Sequence, residues 1–94
     1  MGRSEEVLKR VLRSSVTVAL VRFLHRNPGL LDSAEGLAAW IGRGPTEVEK
    51  ALEELARFGL VEPLAGARRT LYGYTRDENL LEAVGKWLAG MERT

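Results

Sequence analysis

The sequence predicts a mainly helical α+β domain, with three helices, two β-strands and a final helix, and an additional helical segment at the N-terminus. Three observations predict this class. Apolar residues recur at helical spacing over most of the 94 residues. A β-prone rhythm replaces that spacing only within residues 60–75. Hydrophobic residues make up 45% and charged residues 29% of the chain, which is typical of a folded domain.

The length allows one domain with one hydrophobic core. We therefore interpret residues 1–94 as a single domain: an N-terminal helical extension (1–15), a central part (16–76) and a C-terminal helix (77–94). The absence of cysteine excludes disulfides, thiolate zinc sites, iron–sulfur clusters and cysteine nucleophiles. No stretch approaches the roughly 18 apolar residues of a membrane span, and none resembles a signal peptide, so we expect a cytoplasmic protein.

The charges are unevenly distributed, although the net charge is only +1. Six basic and two acidic side chains give residues 1–26 a net charge of +4, and residues 59–76 carry +2. Residues 45–58 and residues 77–94 each carry −2. A polyanionic partner is therefore expected to prefer the two basic stretches.

The N-terminal third predicts helical structure over residues 4–26. Ser4 precedes two glutamates, a pattern that is typical of a helix start. The serine pair at Ser14 either breaks this segment into two helices or lies within one, and the sequence is consistent with both. The stretch 16–24 is apolar nearly all round, and Pro28 helps to end it.

Two short helices joined by a tight turn follow. The Asp-x-x-Glu pattern at Asp32 predicts a capped helix start, and Gly42 supplies the left-handed residue that ends that helix. Pro45 is suited to the first position of the next helix, over 45–58. Two helices joined by a glycine-containing turn of about four residues form a helix-turn-helix.

A hairpin and a last helix complete the chain. Gly59 ends the preceding helix, Leu60–Glu62 is expected to form a strand, and Arg68–Thr75 is expected to form its partner. The Thr-x-x-Glu pattern at Thr75 predicts the cap of the last helix. A basic-tipped hairpin directly after a helix-turn-helix is a wing, so the predicted fold is a winged helix-turn-helix.

Two segments carry a resemblance to a known group of proteins. Residues 20–64, LVRFLHRNPGLLDSAEGLAAWIGRGPTEVEKALEELARFGLVEPL, resemble the shared core of the winged helix-turn-helix domains of bacterial and archaeal transcription regulators, as in the MarR and ArsR families. Residues 68–84, RRTLYGYTRDENLLEAV, resemble their second wing strand and the helix after it. The resemblance extends over about residues 16–85.

The resemblance implies that the helix over 45–58 enters the major groove of double-stranded DNA and that the wing reaches the neighbouring backbone or minor groove. It implies a sequence-specific DNA-binding transcriptional regulator. Metal-sensing members of the resembled group rely on Cys and His clusters, which this sequence lacks, so we expect no cofactor. The residues that we expect to contact DNA are Arg43, Thr46, Glu47, Glu49, Lys50, Arg68 and Arg69.

Several of these candidates also have a structural interpretation. Glu47 and Glu49 occupy positions where the resembled regulators commonly carry Thr, Ser or Arg, and they suit the positive end of a helix dipole. Thr46 either caps the helix in a box with Glu49, or Gly44 caps it and leaves Thr46 free. Lys50 either contacts DNA or pairs with a carboxylate one turn away.

A second hypothesis is a winged-helix module that binds a protein and not DNA. The net charge of −2 on residues 45–58 supports it, since carboxylates disfavour contact with phosphates. Arg68 and Arg69 would then only protect the hairpin from edge-to-edge aggregation.

Apolar strips on the two terminal helices predict a homodimer, because exposed strips of this kind usually mark an interaction surface. The residues expected at the dimer interface are Leu8, Val11, Leu12, Trp87, Leu88 and Met91.

No motif supports catalysis: the sequence has no HExxH spacing, phosphate-binding glycine loop or nucleophile–base pair. We therefore expect a protein that is not an enzyme. The single histidine, His25, has no second metal ligand nearby and is expected to be a capping or surface residue. Trp40 lies off the inner stripe of its helix, so we expect it to be partly exposed or to meet the N-terminal segment. The sequence names no small-molecule effector.

Overall fold

A computed structural model of the protein describes the backbone of residues 3–92 and the side chains of residues 4–91. It confirms the mainly helical α+β class and adds one strand to the expected elements. The elements of the described chain, in order, are α1 (Arg3–Val11), α2 (Ser15–Arg26), β1 (Leu31–Ser33), α3 (Ala34–Ile41), α4 (Pro45–Arg57), β2 (Val61–Ala65), β3 (Thr70–Tyr74) and α5 (Glu78–Glu92).

The N-terminal segment forms two helices. Ser14 caps α2, because its Oγ accepts a hydrogen bond from the Thr17 backbone N–H at 3.2 Å and Thr17 Oγ1 accepts one from the Ser14 N–H at 3.3 Å. This reciprocal pair separates α1 from α2 and decides between the two alternatives. The expected cap at Ser4 is wrong, since α1 already includes Arg3 and places Ser4 in its first turn.

The strand β1 is an element that the sequence does not predict. It pairs antiparallel with β3, which also pairs with β2, so the sheet order is β1-β3-β2. The expected cap at Asp32 is therefore wrong, because Asp32 is extended within β1. Ser33 caps α3 in its place, and its Oγ accepts the Gly36 N–H at 3.1 Å.

The turn between α3 and α4 confirms the helix-turn-helix. Gly42 adopts a φ of +70° after α3, a left-handed conformation that side chains disfavour. Gly44 is the N-cap of α4 and Pro45 is its first residue. Gly59, with a φ of +80°, follows the end of α4 in the same way.

The wing consists of β2, β3 and the loop 66–69 between them. The strands pair from Val61 opposite Tyr74 to Ala65 opposite Thr70, which places Arg68 and Arg69 in the loop. The wing directly follows α4, so the structure confirms the winged helix-turn-helix.

The start of α5 differs from the expected capping box. Asp77 Oδ1 accepts hydrogen bonds from the backbone N–H groups of Asn79 at 2.8 Å and Leu80 at 3.2 Å, so Asp77 caps the helix. The expected cap, Thr75, accepts the Asp77 N–H at 3.1 Å and thereby forms a turn before α5.

One hydrophobic core joins the helices to the sheet, and it includes α1. The prediction that the apolar strip on α1 is exposed is wrong, because α1 packs against α5 of the same chain and buries its apolar side there. Of the six residues expected at a dimer interface, four are buried within the chain: Leu8, Val11, Leu12 and Leu88. Trp87 is half-buried and Met91 is exposed.

None of the helices within residues 3–92 combines the length and the apolar character that crossing a lipid bilayer requires.

Candidate nucleic-acid interface

Helix α4 turns one face into the core and the other to solvent. Val48, Ala51, Leu52 and Leu55 are buried, which fixes the rotation of the helix about its axis. At about 100° per residue, the side opposite them is centred on Thr46, Lys50 and Arg57. These exposed residues form the middle of the outward face of α4.

Carboxylates lie along both edges of that face. The same helical geometry places Glu47 and Glu54 on one edge and Glu49 on the other, whereas Glu53 lies as close to the middle of the face as Lys50 does. All four are exposed. The outward face of α4 therefore carries two cations and one carboxylate along its middle, with further negative charge on each edge.

The cap of α4 decides the role of its first turn. Gly44 is the N-cap, and its backbone N–H donates to Glu47 Oε1 at 3.1 Å. The Glu47 carboxylate is thus engaged at the start of its own helix, as the structural interpretation requires. Thr46 makes no capping bond and is exposed, so of the two alternatives for Thr46 the structure shows the free side chain.

A cleft of about 290 Å³ separates α4 from the wing, and we call it the α4–wing cleft. The first turns of α3 and α4 and the beginning of β3 form its walls. It brings together three of the expected site residues: Thr46, Glu49 and Arg69. The cleft is polar, since it is also lined by Ser33, Glu35, Thr70 and Tyr72.

Two carboxylates of α4 lie near Tyr72 of the wing. Burial raises the pKa of Tyr72 above its ordinary value, and the nearby carboxylates of Glu53 and Glu49 raise it further. The Tyr72 phenol is therefore protonated at neutral pH, and both carboxylates lie close enough to β3 to influence it.

The two wing arginines have different surroundings. Arg69 Nη1 lies 3.9 Å from Glu35 Oε1 in the first turn of α3, and both side chains are largely exposed. Arg68 is exposed beside it in the loop. The wing therefore presents one arginine that is paired within the chain and one that is open to solvent.

The other two expected site cations on the helix-turn-helix, Arg43 and Lys50, do not line the cleft. Arg43 is half-buried, and its Nη1 donates to Ser15 Oγ at 3.0 Å at the start of α2. Lys50 is exposed on α4, and within the described part of the chain it makes no ion pair with Glu47 or Glu54. The structure thus leaves Lys50 available to a partner and directs Arg43 toward α2.

His25 is neither a helix cap nor a surface residue. It is half-buried, its Nδ1 lies 3.1 Å from Tyr74 Oη, and the two rings meet edge to face. No group of three or more His, Cys, Asp or Glu side chains suited to a metal ion occurs among the residues that the structure describes.

Trp40 is 65% exposed, which confirms the expected partial exposure. It also stacks on Phe23 of α2, with ring centroids 5.8 Å apart.

Sequence reasoning misses Glu35 and Tyr72 as residues of the cleft. The sequence pattern indicates Glu35 only as part of a capping box and Tyr72 only as a packing residue of its strand. Both reach the cleft because β1 pairs with β3 and carries the start of α3 to the wing. A strand of three residues leaves too little periodicity for a sequence pattern to reveal it.

No protein-family model and no curated protein matches the sequence. Solved structures do match its fold. The homodimeric winged helix-turn-helix DNA-binding domain of a possible ArsR-family transcriptional regulator from Mycobacterium bovis matches with a TM-score of 0.74 and 17% identity, over 95% of this chain and 79% of that one. The AntR antimony-specific transcriptional repressor matches with a TM-score of 0.73 and 26% identity, over 93% and 76%.

A third match is the MepR–DNA complex of S. aureus, with a TM-score of 0.68 and 21% identity, over 93% of this chain and 73% of that one. The fold of this chain matches those of all three proteins, the first of which is a winged helix-turn-helix domain. The chain therefore has the winged helix-turn-helix fold of transcriptional regulators.

Proposed function

We propose that this chain is a sequence-specific DNA-binding transcriptional regulator that acts as a homodimer, and not an enzyme. One observation carries the proposal. Helix α4 is fixed by its buried face so that Thr46 and Lys50 project outward, beside a wing that bears Arg68 and Arg69. The likeness of the whole fold to a DNA-bound regulator supports the same function.

The proposed complex places α4 in the major groove of DNA, which is wide enough for a helix. Lys50 would donate to the O6 and N7 acceptors of guanine, and Thr46 would contact a base or a phosphate. Arg68 and Arg69 would contact backbone phosphates, which provide affinity and register but no sequence information.

A homodimer suits this arrangement, because two-fold related helices read two half-sites about 34–36 Å apart. A groove between α1 and α5, lined mainly by apolar surface, lies beside Trp87. Trp87 and the exposed Met91 are the two expected interface residues that are not buried within the chain. We propose that the partner subunit covers this groove. We also propose that the protein acts in the cytoplasm, where it can reach DNA.

The carboxylates along the edges of α4 favour the competing hypothesis, a module that binds a protein. They disfavour phosphates at the edges of the helix, but Thr46, Lys50 and Arg57 lie between them, beside the single central carboxylate of Glu53. Binding of duplex DNA is therefore the measurement that separates the two hypotheses.

The test is the salt dependence of binding to duplex DNA, measured by fluorescence anisotropy. If a dimer neutralises about six to eight phosphates, its affinity falls by roughly three to four decades between about 50 and 200 mM salt. A protein that is folded but binds no duplex, or binds without salt dependence, would contradict the proposed function.

A further inference from the structure

We propose that Glu35 competes with DNA for Arg69. In the unbound protein the Glu35 carboxylate holds the Arg69 guanidinium, and this contact lowers the affinity for double-stranded DNA. The proposal rests on the proposed function. It makes a residue of α3, outside both α4 and the wing, a determinant of DNA affinity.

The contact is of a kind that DNA can displace. Arg69 Nη1 and Glu35 Oε1 lie 3.9 Å apart, and the two side chains are 58% and 74% exposed. An ion pair at this exposure contributes little free energy, so a phosphate can replace the carboxylate at small cost. Arg69 therefore has an internal partner that it must leave before it contacts DNA.

Strand pairing between β1 and β3 ends close to both residues. Ser33 of β1 pairs with Leu71 of β3, and Glu35 lies two residues after the first while Arg69 lies two residues before the second. The antiparallel register thus brings the first turn of α3 to the wing loop. The sheet thus brings the backbones near Glu35 and Arg69 together, and the two side chains span the remaining distance.

The position of the pair gives Glu35 a second effect. Both residues line the α4–wing cleft together with Thr46 of α4. A phosphate that bridges α4 and Arg69 has to approach the Glu35 carboxylate within a Debye length. Glu35 therefore pairs with Arg69 and also repels the DNA phosphate that would replace it.

The test uses Glu35→Gln, which removes the charge and keeps the shape, with a labelled mixed-sequence duplex at moderate salt. We expect the affinity to rise about two- to fivefold, the effect of removing one exposed ion pair that competes with binding. The matched control is Glu82→Gln on α5, whose carboxylate pairs with Lys86 at 3.5 Å outside the cleft. It makes the same change in net charge but lies outside the cleft, so its gain in affinity is expected to be clearly smaller.

Arg69→Ala completes a double-mutant cycle. If Glu35 acts chiefly by holding Arg69, Glu35→Gln raises the affinity little once Arg69 is absent. An equal rise with and without Arg69, or no rise in the wild-type background, overturns the proposal while the proposed function stands. Failure of the folded wild type to bind duplex overturns the proposed function, and this proposal with it. Circular dichroism of each variant verifies the fold.

Discussion

At the scale of single residues, His25 and Tyr74 join α2 to the middle of the sheet. The Tyr74 hydroxyl lies 3.1 Å from His25 Nδ1, and burial raises the pKa of Tyr74 to about 12. The phenol is protonated at neutral pH, and its oxygen lies within hydrogen-bond distance of the ring nitrogen. The two residues therefore fix β3, and with it the wing, to the helical layer.

This raised pKa determines how stability responds to alkali. Since the pKa of Tyr74 in the folded state lies above the ordinary value near 10, its contribution is complete below about pH 10 and is lost as the pH rises toward 12. We expect the urea midpoint to fall more steeply over this range for the wild type than for Tyr74→Phe. Parallel declines for the two proteins would show that Tyr74 does not titrate in this way.

The wing arginines allow a second prediction at this scale. Replacing Arg68 and Arg69 by Ala is expected to weaken binding to all DNA sequences alike, because phosphate contacts carry no sequence information. The slope of log affinity against log salt is expected to decrease by roughly one for each phosphate that the protein no longer neutralises. Weaker binding to one DNA sequence only would argue against phosphate contacts.

At the scale of elements, the turn between α3 and α4 depends on backbone conformation. A Cβ at Gly42 would meet no atom within 4 Å, so only its φ of +70° opposes a side chain there. We expect Gly42→Ala to lower the free energy of unfolding by about 1–2 kcal/mol. Gly29→Ala is the matched control, since that site is equally open and its φ is not in the left-handed region. Equal effects of the two substitutions would exclude this explanation.

The elements also show what a sequence can predict. The helix-turn-helix is predictable, because Gly42 and Pro45 act through their own backbone geometry. The predicted caps at Asp32 and Thr75 are wrong by one or two positions, since Ser33 and Asp77 are capping residues too. Choosing between neighbouring caps requires the strand pairing or turn that precedes each helix, and local patterns do not contain it.

The candidate site is predictable only in part, for the same reason. Thr46, Glu49 and Arg69 are expected to act together and do line one cleft. Arg43 is expected in the same site because it is close to Thr46 in the sequence, but its side chain contacts Ser15. The sequence does not indicate Glu35 as a site residue, because its proximity to Arg69 depends on pairing between β1 and β3.

At the scale of the whole molecule, α1 completes the core of its own chain. Leu8 is 2% exposed and packs in the core, whereas Leu64 on the wing is 47% exposed. We expect Leu8→Ala to cost about 2–5 kcal/mol of unfolding free energy and Leu64→Ala less than about 0.5 kcal/mol. Urea denaturation at two protein concentrations provides the measurement. A cost at Leu8 that changes with concentration would instead place this residue at a subunit interface.

The same packing alters the dimer prediction. An apolar strip on a terminal helix has two possible partners, another part of the chain or another subunit, and periodicity does not distinguish them. Trp87→Ala is therefore expected to weaken the proposed dimer more than it weakens the fold. Sedimentation velocity measures the first effect and urea denaturation the second. An unchanged sedimentation coefficient would remove Trp87 from the interface.

The different exposure of the two tryptophans has a consequence for the fluorescence of the protein. The chain has two tryptophans: Trp40, largely in water on α3, and Trp87, half-buried on α5. Their intrinsic fluorescence is therefore the sum of a water-exposed emitter and a partly shielded one, located on different helices. A Trp40→Phe protein would retain a single emitter beside α1, so its spectrum would report the association of subunits without an attached dye.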